Sequence, residues 1–392
     1  MCKTKKNVRG ITLIALVITI IVLLILAGIT IAALSGDNGI LTRAKEAKEK
    51  TEQAQQEEEK TLSNMENILG VYNFKNVNIE DTNPAGAVPE NSTVIEADAN
   101  KGIVIKDKNN NEWVWVEVPK TVVFSGLTID TTGTLEEQNY TDIKNKLITY
   151  STTYREGKSG QGLNWTDEWY NGCGMTSDEY TIAYQKMLKS VYTYGGFWIG
   201  RYEAGIEGSI DDVSKARISH TDITIGTSPK AISQKDAIPY NFVYCGEAQN
   251  LVQEMTPDSN YTSSLMFGMQ WNLVCKFLET KSNLITEDIN SNSSDWGNYR
   301  DTKIENILSG KYAVYDGSTL GVWTKLSAPY TKQDSGNDYR TLLSTGISEY
   351  TNKMNIYDFA GNEWEWTLEK TSLSNGPCVS RGGYYGNTGF AY

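Results

Sequence analysis

The chain has 392 residues, enough for one large domain or two ordinary ones, and its 39% hydrophobic and 21% charged residues are typical of a globular protein. Its net charge of −12 argues against nucleic acid as a partner, because phosphate binding needs clustered Lys and Arg. The single histidine, His220, argues against catalytic triads and multi-histidine metal sites, so we predict a polar surface role for it, no metal and no cofactor.

The first predicted element is an apolar run over residues 11–34 that contains no charged side chain. As a helix it spans about 36 Å, enough to cross a hydrocarbon core of about 30 Å. This run is too long for an ordinary secretory signal peptide. Because basic residues precede it, the positive-inside bias predicts a cytoplasmic N-terminus, with everything after residue 36 outside the membrane. These basic residues are Lys3, Lys5, Lys6 and Arg9.

The start of this run carries a processing signal. Arg9-Gly10 followed by Ile11-Thr12-Leu13-Ile14 resembles the prepilin leader of type IV pilins and pseudopilins. The resemblance implies a leader over residues 1–10, cleavage after Gly10 by a prepilin peptidase, and Ile11 as the methylated first residue of the mature chain. It also implies a bacterial cell membrane with the head outside. Ala15 stands where that family carries a glutamate, so assembly with pilin-like subunits in a filament and a plain membrane tether both stay open.

A helical stalk and a linker are predicted next. Residues 35–39 contain turn-forming residues, and residues 40–69 are rich in Ala, Glu, Lys and Gln without Gly or Pro, so we predict a stalk over residues 35–72. Turn signals over residues 73–102 predict a linker.

From residue 103 the pattern predicts an α+β head. Gly102–Lys106 and Glu112–Val116 alternate apolar residues about a polar turn, which predicts a hairpin. Gly195–Glu203 predicts a further strand with an aromatic face. Gln234–Met255 and Ser263–Leu278 are predicted helices.

The most specific stretch of the head is Met354–Thr367, which reads MNIYDFAGNEWEWT and precedes an Arg-Gly-Gly tripeptide. Within it, Trp364 and Trp366 alternate with Glu363 and Glu365, so a strand would bury one pair and expose the other. We interpret this segment as scaffold and assign no catalytic residue in it. The structural motif comprises Asn355, Tyr357, Asp358, Gly361, Asn362, Trp364, Trp366, Arg381, Gly382 and Gly383.

This motif strongly resembles the formylglycine-generating enzyme, or sulfatase-modifying factor, family. The resemblance implies a variant of the C-type lectin fold over residues 103–392. That family continues further after its Arg-Gly-Gly signature, which implies a C-terminally truncated head. Family enzymes hold copper on two cysteines after this signature, whereas Asn387 and Tyr392 stand near those places here. We therefore expect no enzyme, and keep a formylglycine-generating-type oxidase as an alternative.

The same fold carries the binding surface in the variable proteins of diversity-generating retroelements, where the variable stretch follows an Arg-Gly-Gly signature. This similarity implies a ligand contact set of Tyr384, Tyr385, Asn387, Thr388, Phe390 and Tyr392, to which we add Trp296. Tyr and Asn suit such a surface because they make adaptable contacts. We predict an adhesin-like protein that binds a surface protein or glycan. A minor pilin-like structural subunit is the other alternative.

Cysteine usage leaves the redox state open. The cysteines are Cys2, Cys173, Cys245, Cys275 and Cys378, and no CxxC pair occurs. The last four allow three disulfide connectivities in an oxidising compartment, and buried free thiols are the alternative.

Overall fold

A computed structural model describes residues 17–26, 48, 50–51, 72–155, 166–255, 261–336, 339–372 and 377–390. The chain divides into two units, Met1–Ile68 and Leu69–Tyr392. In the first unit, residues 17–26 are helical with exposed side chains. Gly10, Ile11, the predicted leader and nearly all of the predicted stalk lie outside the described residues. Within the described residues, no helix has both the length and the apolar character required to cross a membrane.

The second unit mixes short strands with helices. Its helices are α1 Lys120–Val123, α2 Glu137–Arg155, α3 Ser177–Tyr194, α4 Cys245–Gln253, α5 Gly268–Lys281 and α6 Thr286–Asn290. Its strands are β1 Thr93–Glu96, β2 Val104–Lys106, β3 Glu112–Glu117, β4 Gly196–Gly200, β5 Gly205–Ile206, β6 Ala231–Ile232, β7 Ile304–Ile307, β8 Lys311–Val314, β9 Thr324–Lys325, β10 Tyr330–Lys332, β11 Thr341–Leu343, β12 Glu365–Lys370 and β13 Cys378–Arg381.

All described strand pairs are antiparallel and form several small sheets. The largest has the order β1-β2-β3-β4, and the others are β11-β8-β9, β10-β7, β12-β13 and β5-β6. The predicted hairpin is confirmed as β2 and β3, which pair Ile105 with Trp113. The predicted aromatic strand is β4, which places Trp198 opposite Trp115 of β3. The architecture is therefore α+β, as the sequence predicts.

Helix boundaries follow capping and proline chemistry. In α3, the Thr176 hydroxyl accepts the Glu179 N–H and the Glu179 carboxylate accepts the Thr176 N–H, so a reciprocal pair of bonds closes the first turn. The predicted helix Gln234–Met255 shortens to α4, because Pro239 lacks an N–H and disfavours helical geometry before it. The predicted helix Ser263–Leu278 is observed as α5, Gly268–Lys281.

The main core lies between helices and the four-stranded sheet. Residues from α2, α3 and α5 pack there with β3 and β4, and the most deeply buried include Val116, Ile143, Leu147, Leu188, Val191 and Leu278. Burial of such aliphatic side chains contributes about 1.5–3 kcal/mol each. The segment predicted as a linker belongs to this unit, since β1 pairs with β2 and Ala87 and Ala99 share a cluster with Trp115.

Candidate binding cavity

The Glu-Trp-Glu-Trp segment begins at a tight backbone turn. Gly361 and Asn362 both adopt positive φ, at 77° and 61°. A Cβ at Gly361 would lie 2.4 Å from the carbonyl oxygen of Asn298, so glycine is required there. The Asn362 side chain accepts the N–H of Leu343 at 3.1 Å and donates to the Glu203 carboxylate at 2.5 Å. These contacts fix where residues 363–366 leave the turn.

The predicted motif residues before the turn form hydrogen bonds with neighbouring segments. Asp358 accepts the Gly346 N–H at 2.6 Å and the Thr351 hydroxyl at 2.7 Å. Asn355 donates to the carbonyls of Lys101 and Gly102, and the Tyr357 hydroxyl donates to Glu349.

The Arg-Gly-Gly tripeptide lies beside this turn. Arg381 forms a buried two-bond ion pair with Glu369, with distances of 2.9 and 2.7 Å. Gly382 and Gly383 have φ of 84° and 74°, and the Gly382 carbonyl accepts the N–H of Gly361 at 2.9 Å. The tripeptide therefore acts as scaffold for the turn that precedes the Glu-Trp-Glu-Trp segment.

A cavity of about 430 Å³ opens beside that segment. Its walls come from β3, β4, the loop over residues 239–243, α4, residues 261–266 and residues 363–366. Aromatic rings dominate the lining, and they are Trp113, Trp198, Tyr202, Tyr240, Phe242, Tyr261, Tyr357, Phe359, Trp364 and Trp366. Cavities of this size and apolar character are typical of small-ligand sites.

Three glutamates add acidic groups to the aromatic wall. Glu203, Glu363 and Glu365 all line the cavity. Burial raises the pKa of Glu363 and of Glu365 to about 8, opposed at Glu363 by a hydrogen bond with Asn241 and reinforced at Glu365 by Asp358. Burial, with the nearby charges of Asp358 and Glu365, raises the pKa of Glu203 well above its usual value. Glu363 and Glu365 keep some accessible surface because they face the cavity.

The remaining polar groups of the wall are uncharged. No Lys, Arg or His lines the cavity within the part of the chain that the structure describes. The Asn241 side chain is 9% exposed, and its Oδ1 atom has no hydrogen-bond partner. The cavity therefore presents aromatic surface, carboxyl groups and an unused amide oxygen.

The Glu-Trp-Glu-Trp segment and the segment after the Arg-Gly-Gly tripeptide meet beside the cavity. Trp364 is 53% exposed and its ring lies 4.5 Å from that of Tyr384. Tyr384 in turn contacts Tyr385 at 5.1 Å between ring centroids. The segment after the Arg-Gly-Gly tripeptide thus contacts a residue of the cavity wall.

The predicted contact set does not form one exposed surface. Tyr384 is half-buried and Phe390 is 63% exposed, whereas Tyr385 is 7% exposed and packs in a cluster with Trp323 and Leu342. Trp296 is 2% exposed, belongs to the main core and donates its indole N–H to the Asp288 carbonyl, so we remove it from the contact set.

Of the remaining members of the predicted contact set, two are half-buried and one lies outside the described residues. Asn387 is half-buried, and its side chain accepts the Tyr384 N–H at 3.2 Å, which makes it a turn residue that shapes the Tyr384 backbone. Thr388 is half-buried, and Tyr392 lies outside the described residues.

No protein-family model matches the chain. No curated protein and no solved structure is significantly similar to it either. The assignment of a function therefore depends on the geometry of the cavity and on the sequence motifs.

The acidic cavity was not predicted from the sequence. Glu363 and Glu365 were interpreted as scaffold, and Glu203, which follows β4, approaches Asn362 only in the folded chain. The alternation expected for a strand is incomplete, because β12 begins only at Glu365. The sequence did contain a signal for this site: Glu363 and Glu365 flank the aromatic Trp364 and follow Asn362, a residue type that tolerates positive φ.

Outside the cavity wall, three side chains form a group of possible metal ligands. His220, Asp222 and Glu247 bring one ligand atom each to within 4.8 Å of one another. The His220 ring approaches the Glu247 carboxylate at 3.1 Å and stacks on Tyr244 at 4.2 Å. The Glu247 carboxylate also accepts the Tyr244 N–H that begins α4, so these contacts account for the group as a helix-capping cluster.

Proposed function

We propose that the chain is a surface-displayed, adhesin-like protein whose head binds its ligand without covalent chemistry. The single observation that carries this proposal is the aromatic cavity, in whose wall the exposed Trp364 ring packs against Tyr384. Exposed aromatic rings beside a concave apolar wall are the residues that dominate recognition energetics, because each contributes a large contact area at small entropic cost.

The proposal includes the form of display. Residues 11–34 anchor the chain in a bacterial cell membrane, and a prepilin peptidase cleaves between Gly10 and Ile11. This part is supported by the apolar run, the preceding basic residues and the Arg9-Gly10 junction. The head is proposed to have a C-type-lectin-like fold, supported by the Met354–Thr367 motif and the Arg381 tripeptide.

The test uses the full chain displayed on bacterial cells and arrays of immobilised glycans and surface-protein peptides. We expect the unaltered protein to bind at least one array member and the Tyr384→Ala and Trp364→Ala variants to lose tenfold or more in affinity. Tyr244→Ala is the matched control, since its ring is 65% exposed and lies outside the cavity wall. The Tyr384 variant is preferred to Tyr385→Ala, which would remove a buried core ring.

Two outcomes would overturn the proposal in favour of the alternatives. Conversion of a peptide cysteine to formylglycine by the purified protein would establish the oxidase. Incorporation into a pilus-like filament, with no array member bound, would establish the structural subunit.

A further inference from the structure

We propose that the cavity receives an organic cation, an ammonium or quaternary ammonium group carried on a small apolar skeleton. This inference rests on the proposed function and names the chemical class of its ligand. Its recognition elements are the aromatic rings of the wall and the carboxyl groups of Glu203, Glu363 and Glu365.

The aromatic rings are the first argument. Three of the four cavity tryptophans already donate their indole N–H to protein acceptors: Trp113 to Asp107, Trp198 to the Ala87 carbonyl and Trp366 to the Val243 carbonyl. What these side chains offer a ligand is therefore ring surface. A cation over a desolvated aromatic face is attracted by the negative charge density of the ring, and several faces together form a cage for an alkylated ammonium.

The charge balance of the wall is the second argument. Three carboxyl groups and no basic residue line the cavity among the described residues, so an anionic ligand is disfavoured. The guanidinium of Arg201 is held by Glu112 at 2.9 Å and by Asn355 at 2.7 Å, and that of Arg217 lies 5.7 Å from the Tyr240 ring centroid; neither residue lines the cavity. The wall therefore offers no positive charge to an anion, and a ligand cation would pair with the carboxyl groups as they ionise on binding.

The spacing of the carboxyl groups argues against a bare metal ion. Within the described ranges, these glutamates do not form a group whose ligand atoms lie within 4.8 Å of one another, a condition that only the His220 cluster meets. An organic cation tolerates this separation, because its charge is spread over a larger volume that touches several walls at once. The aromatic rings that line the same cavity fit such a ligand better than an ion that requires oxygen ligands.

The protonation state of Glu363 and Glu365 predicts that cation binding is coupled to proton release. With pKa values raised to about 8, Glu363 and Glu365 hold protons in the empty cavity near pH 7. A bound cation favours the ionised carboxylates, so binding releases protons and strengthens as pH rises. The titratable groups near them are Glu203, Asp358, Tyr202, Tyr240, Tyr357 and Tyr385. Three cations lie against these groups: Lys235 near Asp358 and Tyr357, Arg201 against Tyr202 and Tyr357, and Arg217 against Tyr240.

The experiment compares choline with 3,3-dimethylbutan-1-ol, its neutral isostere, on the full chain in nanodiscs. Isothermal titration in two buffers of different ionisation enthalpy reports both affinity and proton release. We expect choline to bind at least tenfold more tightly than the alcohol at pH 7.5, with proton release, and to gain affinity from pH 6 to pH 8. Equal binding of the two compounds, or choline binding without proton release, would overturn the inference.

Charge-removing variants locate the site. Glu363→Gln and Glu365→Gln keep the side-chain shape, and each is expected to lower choline affinity tenfold and to reduce proton release. Glu305→Gln, an exposed glutamate paired with Lys303 on β7, is the control and should change neither quantity. Unaltered choline binding in both cavity variants would show that the cation binds elsewhere and would overturn the site assignment.

A third probe, Nα-acetyl-lysine methylamide, distinguishes the source of the cation. Tighter binding of this probe than of choline identifies a lysine side chain of a protein ligand, and the reverse identifies a free quaternary amine; either outcome supports the inference. Array binding that depends on Tyr384 but is unaffected by saturating choline would overturn the inference while leaving the proposed function intact.

Discussion

Asn362 donates a hydrogen bond of 2.5 Å from its side-chain amide to the carboxylate of Glu203, a residue 159 positions earlier in the chain. The same asparagine accepts the N–H of Leu343 and the side-chain amide of Asn298 at 2.8 Å. It therefore joins the end of β4 to β11 and to the segment that forms one cavity wall. Because all of these groups are buried, they have no solvent to replace a lost partner.

Removal of the Asn362 side chain is expected to destabilise the head strongly. Asn362→Ala removes one of two donors to the Glu203 carboxyl, leaving the Glu363 N–H, and it removes the acceptor of the Leu343 N–H. It also places alanine at φ 61°, where a Cβ is strained. We expect the free energy of unfolding to fall by about 3–5 kcal/mol, measured by urea denaturation.

Asn362→Gly separates the effect of the lost hydrogen bonds from the effect of backbone strain at positive φ. Glycine adopts positive φ without strain, so this variant should be about 1 kcal/mol more stable than Asn362→Ala while still losing the hydrogen bonds. A loss below about 1 kcal/mol in both variants would show that the network contributes little.

The buried ion pair of Arg381 and Glu369 leads to a second prediction. Arg381→Met leaves the fully buried Glu369 carboxylate with the Thr367 hydroxyl, at 3.1 Å, as its one donor among the residues that the structure describes. We expect a loss of about 3–5 kcal/mol in unfolding free energy. The double variant Arg381→Met, Glu369→Leu should recover most of that loss, because no uncompensated charge stays buried; a double variant as unstable as the single one would contradict this account.

The sequence predicted those parts of the fold that depend on local patterns. Alternating apolar residues located the β2–β3 hairpin and β4, and helical spacing located α5 to within a few residues. The residues Gly361, Asn362 and Arg381 were identified as scaffold, and their contacts now explain why those residue types occur there.

The cavity escaped prediction because it depends on contacts between distant segments. Glu203 and Glu363 are 160 positions apart, yet the Glu363 N–H donates to the Glu203 carboxylate at 3.0 Å. The burial of Trp296 likewise depends on packing that no local pattern reveals.

The buried acids predict how stability varies with pH. Burial raises the pKa of Asp358 to about 6 and those of Glu363 and Glu365 to about 8, whereas the unfolded chain releases these protons near pH 4. Between about pH 4.5 and 8 the folded head therefore holds more protons than the unfolded chain. We expect the unfolding free energy to fall as pH rises through this window, by at most about 1.4 kcal/mol per pH unit for each group.

The comparison that tests this trend uses urea denaturation at pH 5, 6.5 and 8. The cavity exposes part of Glu363 and Glu365 to water, so each should lower the unfolding free energy by less than the maximum amount per pH unit. Glu363→Gln and Glu365→Gln should flatten the decline, while Glu305→Gln should not. Below about pH 4.5 the trend reverses, because hydrogen bonds lower the pKa of acids such as Glu247 and Glu349. Stability that rises from pH 5 to 8 would contradict the raised pKa values.

The last prediction concerns the thiol pair of Cys245 in α4 and Cys378 in β13. The two thiols are close enough to affect each other's pKa, and the Cys245 thiol also contacts the Tyr170 hydroxyl at 3.2 Å. The interaction with Cys245 lowers the pKa of the Cys378 thiol to about 7, so a large share of Cys378 is thiolate near neutral pH. This interaction favours a single disulfide between Cys245 and Cys378, with Cys173 and Cys275 left as free thiols.

Oxidised glutathione tests the pairing. The Cys378 thiolate attacks the glutathione disulfide, and Cys245 then displaces the bound glutathione, so that two reduced glutathiones leave and one protein disulfide forms. We expect peptide mapping to find the Cys245–Cys378 link while Cys173 and Cys275, both buried, stay free until unfolding. The disulfide closes a loop longer than 100 residues and should raise the unfolding free energy by about 3–5 kcal/mol. Cys275→Ser should leave the link unchanged, and a link from Cys245 to Cys173 would contradict the prediction.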